Sequence, residues 1–241
     1  MSLPTIAVPT FEVKIPSTGK AAKFRPFLVK EEKLLLMAAQ TKEELEVINT
    51  TIQIIENCCI SKDVKIDELP FFDIDYLFIM LRSKSIGENV EINLTCNRLV
   101  DGQKCGQVFP AEVDLTKTKI KKNKILESKI ELTNQIGVKM KYPKYSEMKR
   151  IMGDENIVDK KFDLICASIE FVYDKDNVYT TKDYAPEDFS RFIDSLTNAQ
   201  LAKLEEWIYN FPSFEIDIKQ KCPKCGHNHN IKTGDFTSFF T

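Results

Sequence analysis

The sequence predicts an α+β fold: a helical bundle combined with β-hairpins and a zinc-ribbon-like module assembled from distant cysteine pairs. Three observations predict it. Apolar residues recur at three- and four-residue spacing in separate stretches, among them Leu45 to Ile55 and Leu201 to Ile208, which is the period of an amphipathic helix. Between such stretches lie runs of alternation, Phe11-Val13-Ile15, Val90-Ile92-Leu94 and Phe214-Ile216-Ile218, which is the period of a half-buried strand. The last two runs lead directly into Cys96 and Cys222, each followed by another cysteine, Cys105 and Cys225.

The elements follow in order. After the first alternating run, Pro16-Ser17-Thr18-Gly19 is turn chemistry and Lys23 to Phe27 returns as a second strand. From Val29 the period becomes helical, with Leu34, Leu35, Met37 and Ala38 suited to one face. Thr41 with Glu44 three residues later has the form of a capping box, opening a helix that carries Leu45, Ile48, Ile52 and Ile55 inward. Leu69-Pro70 interrupts the chain, and Asp73 is placed to cap a helix burying Tyr76, Leu77, Met80 and Leu81 and ending before Gly87. The strand into Cys96 is answered by Val108 to Leu115, so the first cysteine pair sits at a hairpin tip.

Thr116 to Lys129 is rich in lysine and has no interleaved aromatic residues, so it reads as a solvated connection or exposed strand face. Short strands are expected at Ile130–Leu132 and Val138–Met140, and helices at Ser146–Met152 and Val158–Phe171. Tyr173 to Thr181 reads as a hairpin or loop. Pro186 suits the first turn of a helix carrying Phe189, Phe192 and Ile193. A last helix from about Asn198 precedes the strand into Cys222, and Asn230 to Thr233 can return beyond Cys225. Three segments are expected: 1–115, 116–197 and 198–241, closed into one compact unit by metal.

A length of 241 residues allows one large domain or two small ones with a real core. A hydrophobic fraction of 43% and a charged fraction of 29% are ordinary for a soluble protein. The net charge of −2 gives no global attraction for nucleic acid or acidic membrane. No apolar run approaches the roughly 18 residues of a membrane helix. Residues 1–10 have neither the basic start nor the apolar core of a signal peptide. The expected compartment is therefore a cytosol, where disulfides do not persist and paired cysteines read as metal ligands or catalytic groups. Cys58, Cys59 and Cys166 lie among apolar residues and read as small core side chains.

Cys222-Pro-Lys-Cys225-Gly is the sharpest local motif, because two intervening residues let both sulfurs face one ion and the glycine permits a tight turn. Cys96 and Cys105 are more widely spaced, but Cys105-Gly106 has the same ending. Four thiolates make a closed structural zinc site. His227 and His229 are the alternates, since either could replace a cysteine; thiolate ligation also suits an iron–sulfur cluster, and a metal-free reading stays open. Both histidines lie beside the second pair, and no glycine-rich phosphate loop is present. No separate Ser-His or Cys-His dyad can be built, so no enzyme is expected. Asp73 with Asp75 and Asp154 with Glu155 read as helix caps and solvated turns.

Two stretches carry a family resemblance. One is Ser17-Thr18-Gly19-Lys20 with Lys23-Phe24-Arg25-Pro26-Phe27-Leu28-Val29-Lys30-Glu31-Glu32-Lys33; the other runs from Leu69-Pro70-Phe71-Phe72-Asp73 to Leu81-Arg82-Ser83-Lys84-Ser85-Ile86-Gly87-Glu88. With the cysteines that follow, they resemble the baseplate hub subunit and hub assembly proteins of contractile-tailed bacteriophages. The resemblance implies a structural subunit or assembly chaperone of the hub, found in the virion tail baseplate or in the host cytoplasm during assembly. It implies other baseplate proteins as partners, with no small-molecule substrate and no membrane. Arg25, Phe27, Arg82, Phe239 and Phe240 are candidate contact residues, each with an alternative structural role. The competing function is a zinc-ribbon nucleic-acid-binding module using the lysines from Lys117 to Lys129.

Overall fold

The computed structural model describes residues 6–41, 43–121, 127–152 and 157–233. In chain order its first elements are β1 (Phe11–Lys14), β2 (Ala21–Phe24), α1 (Val29–Thr41), α2 (Glu44–Cys58) and α3 (Phe71–Ser85). Then come β3 (Asn89–Thr95), β4 (Leu99–Val100), β5 (Gln103–Lys104), β6 (Val108–Asp114), β7 (Lys119–Lys121), β8 (Lys129–Glu131) and β9 (Gly137–Met140). The remainder is α4 (Tyr145–Met152), α5 (Ile157–Ala167), β10 (Ile169–Tyr173), β11 (Val178–Thr180), α6 (Pro186–Asp194), α7 (Asn198–Tyr209), β12 (Ser213–Lys221) and β13 (Asn228–Thr233). The fold is thus α+β, and its described strands pair antiparallel in small sheets. The chain divides into two compact units: residues 1–66, 72–121 and 213–241 in the first, and 67–71 with 122–212 in the second.

In the first unit β1 and β2 form the expected hairpin, with Phe11 opposite Phe24 and Lys14 opposite Ala21. Gly19 closes its turn at φ +70°, a conformation that costs a side-chain-bearing residue about 1–2 kcal/mol. The turn is tied to α3, because the Ser17 amide donates to Asp73 Oδ1 at 3.0 Å and the Ser17 hydroxyl donates to Asp73 Oδ2. Asp73 is therefore a buried acceptor inside the first turn of α3 rather than its cap. Asp75 is also buried, so the expectation of solvated caps fails for this pair. Asp154 and Glu155 lie outside the described residues. On α3, Leu77 and Leu81 are buried as expected, while Tyr76 and Met80 are half-buried.

α1 forms where the period changes, but its buried stripe is Glu31, Leu35 and Ala38, with Leu34, Leu36 and Met37 exposed. Glu31 can lie inward because Arg25 Nη2 donates to it at 2.9 Å and the Leu28 amide donates at 2.8 Å. Leu28 precedes the helix, so this last bond satisfies one of the amides that a helix start leaves open. The expected capping box at Thr41 does not form: Thr41 is the last residue of α1 and its hydroxyl donates to Ala38 O at 2.7 Å. α2 starts after Glu43, with Ile48, Ile52 and Ile55 buried. Cys58 is fully buried, while Cys59 and Cys166 are half-buried.

The second unit has its own core, built from Leu132, Val138 and Met140 of the sheet, Ile165 of α5, Phe189 and Ile193 of α6, and Leu204 and Trp207 of α7. Its sheet runs β11-β10-β9-β8. α5 is shorter than its periodicity suggests. Ser168 ends it by donating from both amide and hydroxyl to Leu164 O, at 3.0 and 2.6 Å, and then accepts from the Lys141 amide at 2.8 Å. Ile169 consequently opens β10 beside β9 rather than continuing the helix. α7 begins with a capping box: Gln200 Oε1 accepts from the Thr197 amide at 2.8 Å, and Thr197 Oγ1 accepts from the Gln200 amide at 3.4 Å.

Candidate metal centre

Two antiparallel ladders bring the cysteines into place. β3 pairs with β6 from Asn89↔Asp114 to Thr95↔Val108 and ends at Cys96. β12 pairs with β13 from Ile216↔Thr233 to Lys221↔Asn228 and ends at Cys222. The two turns share one hydrogen-bond frame. The Cys96 amide donates to Gln107 O at 2.8 Å, and the Gly106 amide donates back to Cys96 O at 3.0 Å. The Cys222 amide donates to His227 O at 2.8 Å, and the Gly226 amide donates back to Cys222 O at 3.0 Å. Gly106 and Gly226 both take positive φ, +63° and +72°, which explains why each knuckle closes on glycine.

The insert from Asn97 to Lys104 does not disturb this frame. It folds on itself as the β4–β5 hairpin, with Leu99 opposite Lys104 and Val100 opposite Gln103. Asp101 and Gly102 sit at φ 50° and 80°, positive at both turn positions as a two-residue hairpin with Asp-Gly favours. The Cys105 amide then donates to Arg98 O at 2.7 Å and rejoins the knuckle.

The four sulfurs lie within 4.8 Å of one another. The short approaches run between the knuckles: Cys96 Sγ to Cys225 Sγ is 3.6 Å and Cys105 Sγ to Cys222 Sγ is 3.9 Å. Bonded disulfide sulfurs lie about 2.05 Å apart, so these are free thiols. A tetrahedron of thiolates about 2.3 Å from a zinc ion has edges of about 3.8 Å, and the donor set fits that group. Cys96, Cys105 and Cys222 are buried and Cys225 half-buried. Lys224 Nζ spans the turns by donating to Cys105 O at 3.3 Å.

The clustered thiols act on one another's ionisation. Burial works to raise the Cys222 thiol, but the backbone amides of Cys225 and Lys224 outweigh it and bring the thiol down to about 7. Burial, reinforced by the neighbouring thiols Cys225, Cys222 and Cys105, pushes Cys96 up to about 12. The neighbouring thiols oppose one another's ionisation, a conflict that a divalent ion among the sulfurs would remove. Neither histidine belongs to the four-sulfur group. His227 and His229 pack edge to face at 4.8 Å, and His229 lies 5.6 Å from the Phe109 ring.

A family model described as "T4 bacteriophage base plate protein" matches residues 8–241. The chain belongs to this family of phage baseplate proteins. No curated protein and no solved structure matches the chain. Membership extends the resemblance over the stretch from Thr116 to Thr197, where the sequence by itself suggested no relative. It makes the tail baseplate of the virion the relevant setting.

The other residues singled out from the sequence lie apart from the cysteines in role. Arg25 is engaged by Glu31 and also donates to Asn57 O at 3.1 Å. Phe27 is buried, and its amide donates to Ser85 Oγ at 3.0 Å. Arg82 is half-buried with Nη1 unpartnered, and burial holds it below its ordinary pKa. Phe239 and Phe240 lie outside the described residues. Sequence reasoning missed the β4–β5 hairpin, although Asp101-Gly102 is the signal that marks it.

Proposed function

We propose that this baseplate protein is a structural subunit or assembly chaperone of the central hub, and that a zinc ion held by Cys96, Cys105, Cys222 and Cys225 closes its fold. The hub role is supported by the motifs around Ser17–Lys33 and Leu69–Glu88 together with family membership. The zinc is supported by one observation above the others: two turns far apart in sequence present four sulfurs within 4.8 Å in the same hydrogen-bond frame. Such an ion acts structurally, since four thiolates leave no open position for water. It offsets the entropy of closing the long loop between the knuckles. The protein's work is then contact with other baseplate proteins, without catalysis. Of the residues singled out, Arg82, Phe239 and Phe240 remain the proposed contacts, whereas Phe27 is buried and Arg25 is engaged by Glu31, so these two serve the fold.

Two measurements test this. Elemental analysis of protein purified without chelators is expected to give about one zinc per chain. The zinc should be retained in the His227→Ala/His229→Ala double variant and lost in Cys222→Ser. Metal released by the histidine variant would show that the ligand set is wrong. Quantifying the chain in purified virions against infected-cell extract separates a built-in subunit from a transient assembly factor. Enrichment in neither tails nor hub intermediates would overturn the hub assignment.

A further inference from the structure

Within residues 122–212, two adjoining cavities share Tyr184 and Phe189 as lining residues. The first, of about 370 Å³, is framed by the β10–β11 hairpin and α6 and lined by Tyr173, Tyr179, Tyr184 and Phe192 with the carboxylates Asp174 and Asp188. Among the described residues no cationic side chain lines it. The second, of about 330 Å³, is lined by Lys141, Glu147 and Arg150 with Ser146 and Thr181. Lys141 is paired with Glu147 at 2.6 Å, while Arg150, at the end of α4, is exposed.

The chemistry of the first cavity selects its guest. Aromatic faces carry negative potential and attract cations placed over them. One of these rings already does so, since Lys129 Nζ sits 5.9 Å from the Tyr173 centroid. Tyr179 and Tyr184 meet edge to face at 5.6 Å, which holds Tyr184 beside the cleft although it is 44% exposed. Asp174 stays charged: the Tyr179 hydroxyl donates to it at 2.7 Å, the Asp176 and Asn177 amides donate at 2.8 and 2.7 Å, and its carboxyl is held below the usual carboxylate range. Asp188 pairs with Arg191 at 2.8 Å across the exposed face of α6, a contact that solvent weakens. A guest with an apolar stem and a planar positive head meets all of these features, and arginine is that side chain.

We propose that this aromatic cleft seats an arginine side chain presented by a partner protein. The adjoining cavity is a poorer seat for the same guest: its carboxylate, Glu147, is already paired with Lys141, and Arg150 adds positive charge. The inference stands on the cleft and is independent of both the hub assignment and the zinc. The test titrates the full chain with N-acetyl-arginine-methylamide and its norleucine counterpart, reading tyrosine ring resonances by NMR. The arginine probe is expected to shift Tyr179 and Tyr184 saturably and to weaken with added salt. Tyr184→Ala should weaken it by about tenfold, and Tyr184→Phe by no more than about twofold, because the ring face is what binds. Norleucine binding as well as arginine would reduce the cleft to a generic apolar groove and overturn the proposal. So would an arginine affinity unchanged in Tyr184→Ala at an unaltered melting temperature.

Discussion

Two acidic side chains, one on α3 and one on α1, show how differently burial treats a carboxylate. Asp75 on α3 is 8% exposed, and among the described residues its Oδ1 has no hydrogen-bond partner. Burial alone pushes its carboxyl well above the usual range. A raised folded pKa means that the folded chain binds the proton more tightly than the unfolded chain. The contribution to stability is therefore full below the unfolded value of about 3.9 and is lost as pH rises through the folded value. Asp75→Asn is expected to remove that pH dependence and to stabilise the chain at neutral pH by about 1 kcal/mol, read from urea midpoints in mildly acidic and neutral buffer. A variant with an unchanged pH slope would show that Asp75 does not titrate in this window. Glu31 behaves in the opposite sense. Burial raises it, but hydrogen bonds from Arg25 and the Leu28 amide outweigh this and leave it low. Its stabilisation is present above about 4.3 and is lost as pH falls through the lower folded value. Because Glu31 is 1% exposed, Arg25→Ala leaves a buried charge held by the Leu28 amide and the exposed Lys30 at 3.4 Å, and a loss of about 3 kcal/mol is expected. Adding Glu31→Gln should recover much of that loss in the double variant, as a cycle of urea melts would show.

At the scale of elements, the strands into the cysteines were legible because alternation survives whatever the partner is: Val90 and Leu94 lead to Cys96, and Ile216 and Ile218 to Cys222. Helix starts were less legible, because the same four-residue pattern occurs twice with different outcomes. Thr197 with Gln200 forms the capping box, whereas Thr41 with Glu44 matches the pattern inside the last turn of a preceding helix. Which threonine caps is decided by where the chain turns, and that is a tertiary fact. The buried faces of α1 and α3 were misread for a related reason: Glu31, Asp73 and Asp75 lie inward; Ser17 reaches Asp73 from 56 residues away, and Arg25, though six residues before Glu31, lies outside the helix whose period was read. The wide spacing from Cys96 to Cys105 looked irregular only until the insert proved to be a hairpin of its own. That yields a prediction. Replacing Asn97 to Lys104 by the Pro-Lys of the second knuckle should keep the proposed zinc, because the Cys96–Gln107 and Gly106–Cys96 bonds do not use the insert, although the Cys105 amide loses its bond to Arg98 O. Metal content that falls with the insert would show that β4–β5 supports the site.

The whole molecule consists of two compact units, and only one contains the four cysteines. The first unit gathers its chain from three separated stretches, with the C-terminal hairpin β12–β13 beside β7 from the middle of the sequence. A unit closed over such sequence distances carries a large loop entropy, which is where a metal clamp contributes most. The second unit is a nearly continuous stretch, 122–212 with 67–71, and has its own core around Leu204 and Trp207. Trp207 is the single tryptophan of the chain, so its fluorescence reports the second unit alone. Stripping the proposed zinc with a strong chelator is expected to lower the transition of the first unit, followed by far-UV circular dichroism, by about 10 °C or more. The transition seen by Trp207 fluorescence should move by no more than about 2 °C. The split follows from stability being local, each unit opening with its own free energy. A fluorescence transition that drops together with the dichroism would mean that the clamp holds both units, and an unchanged dichroism trace would mean that the four sulfurs stabilise neither.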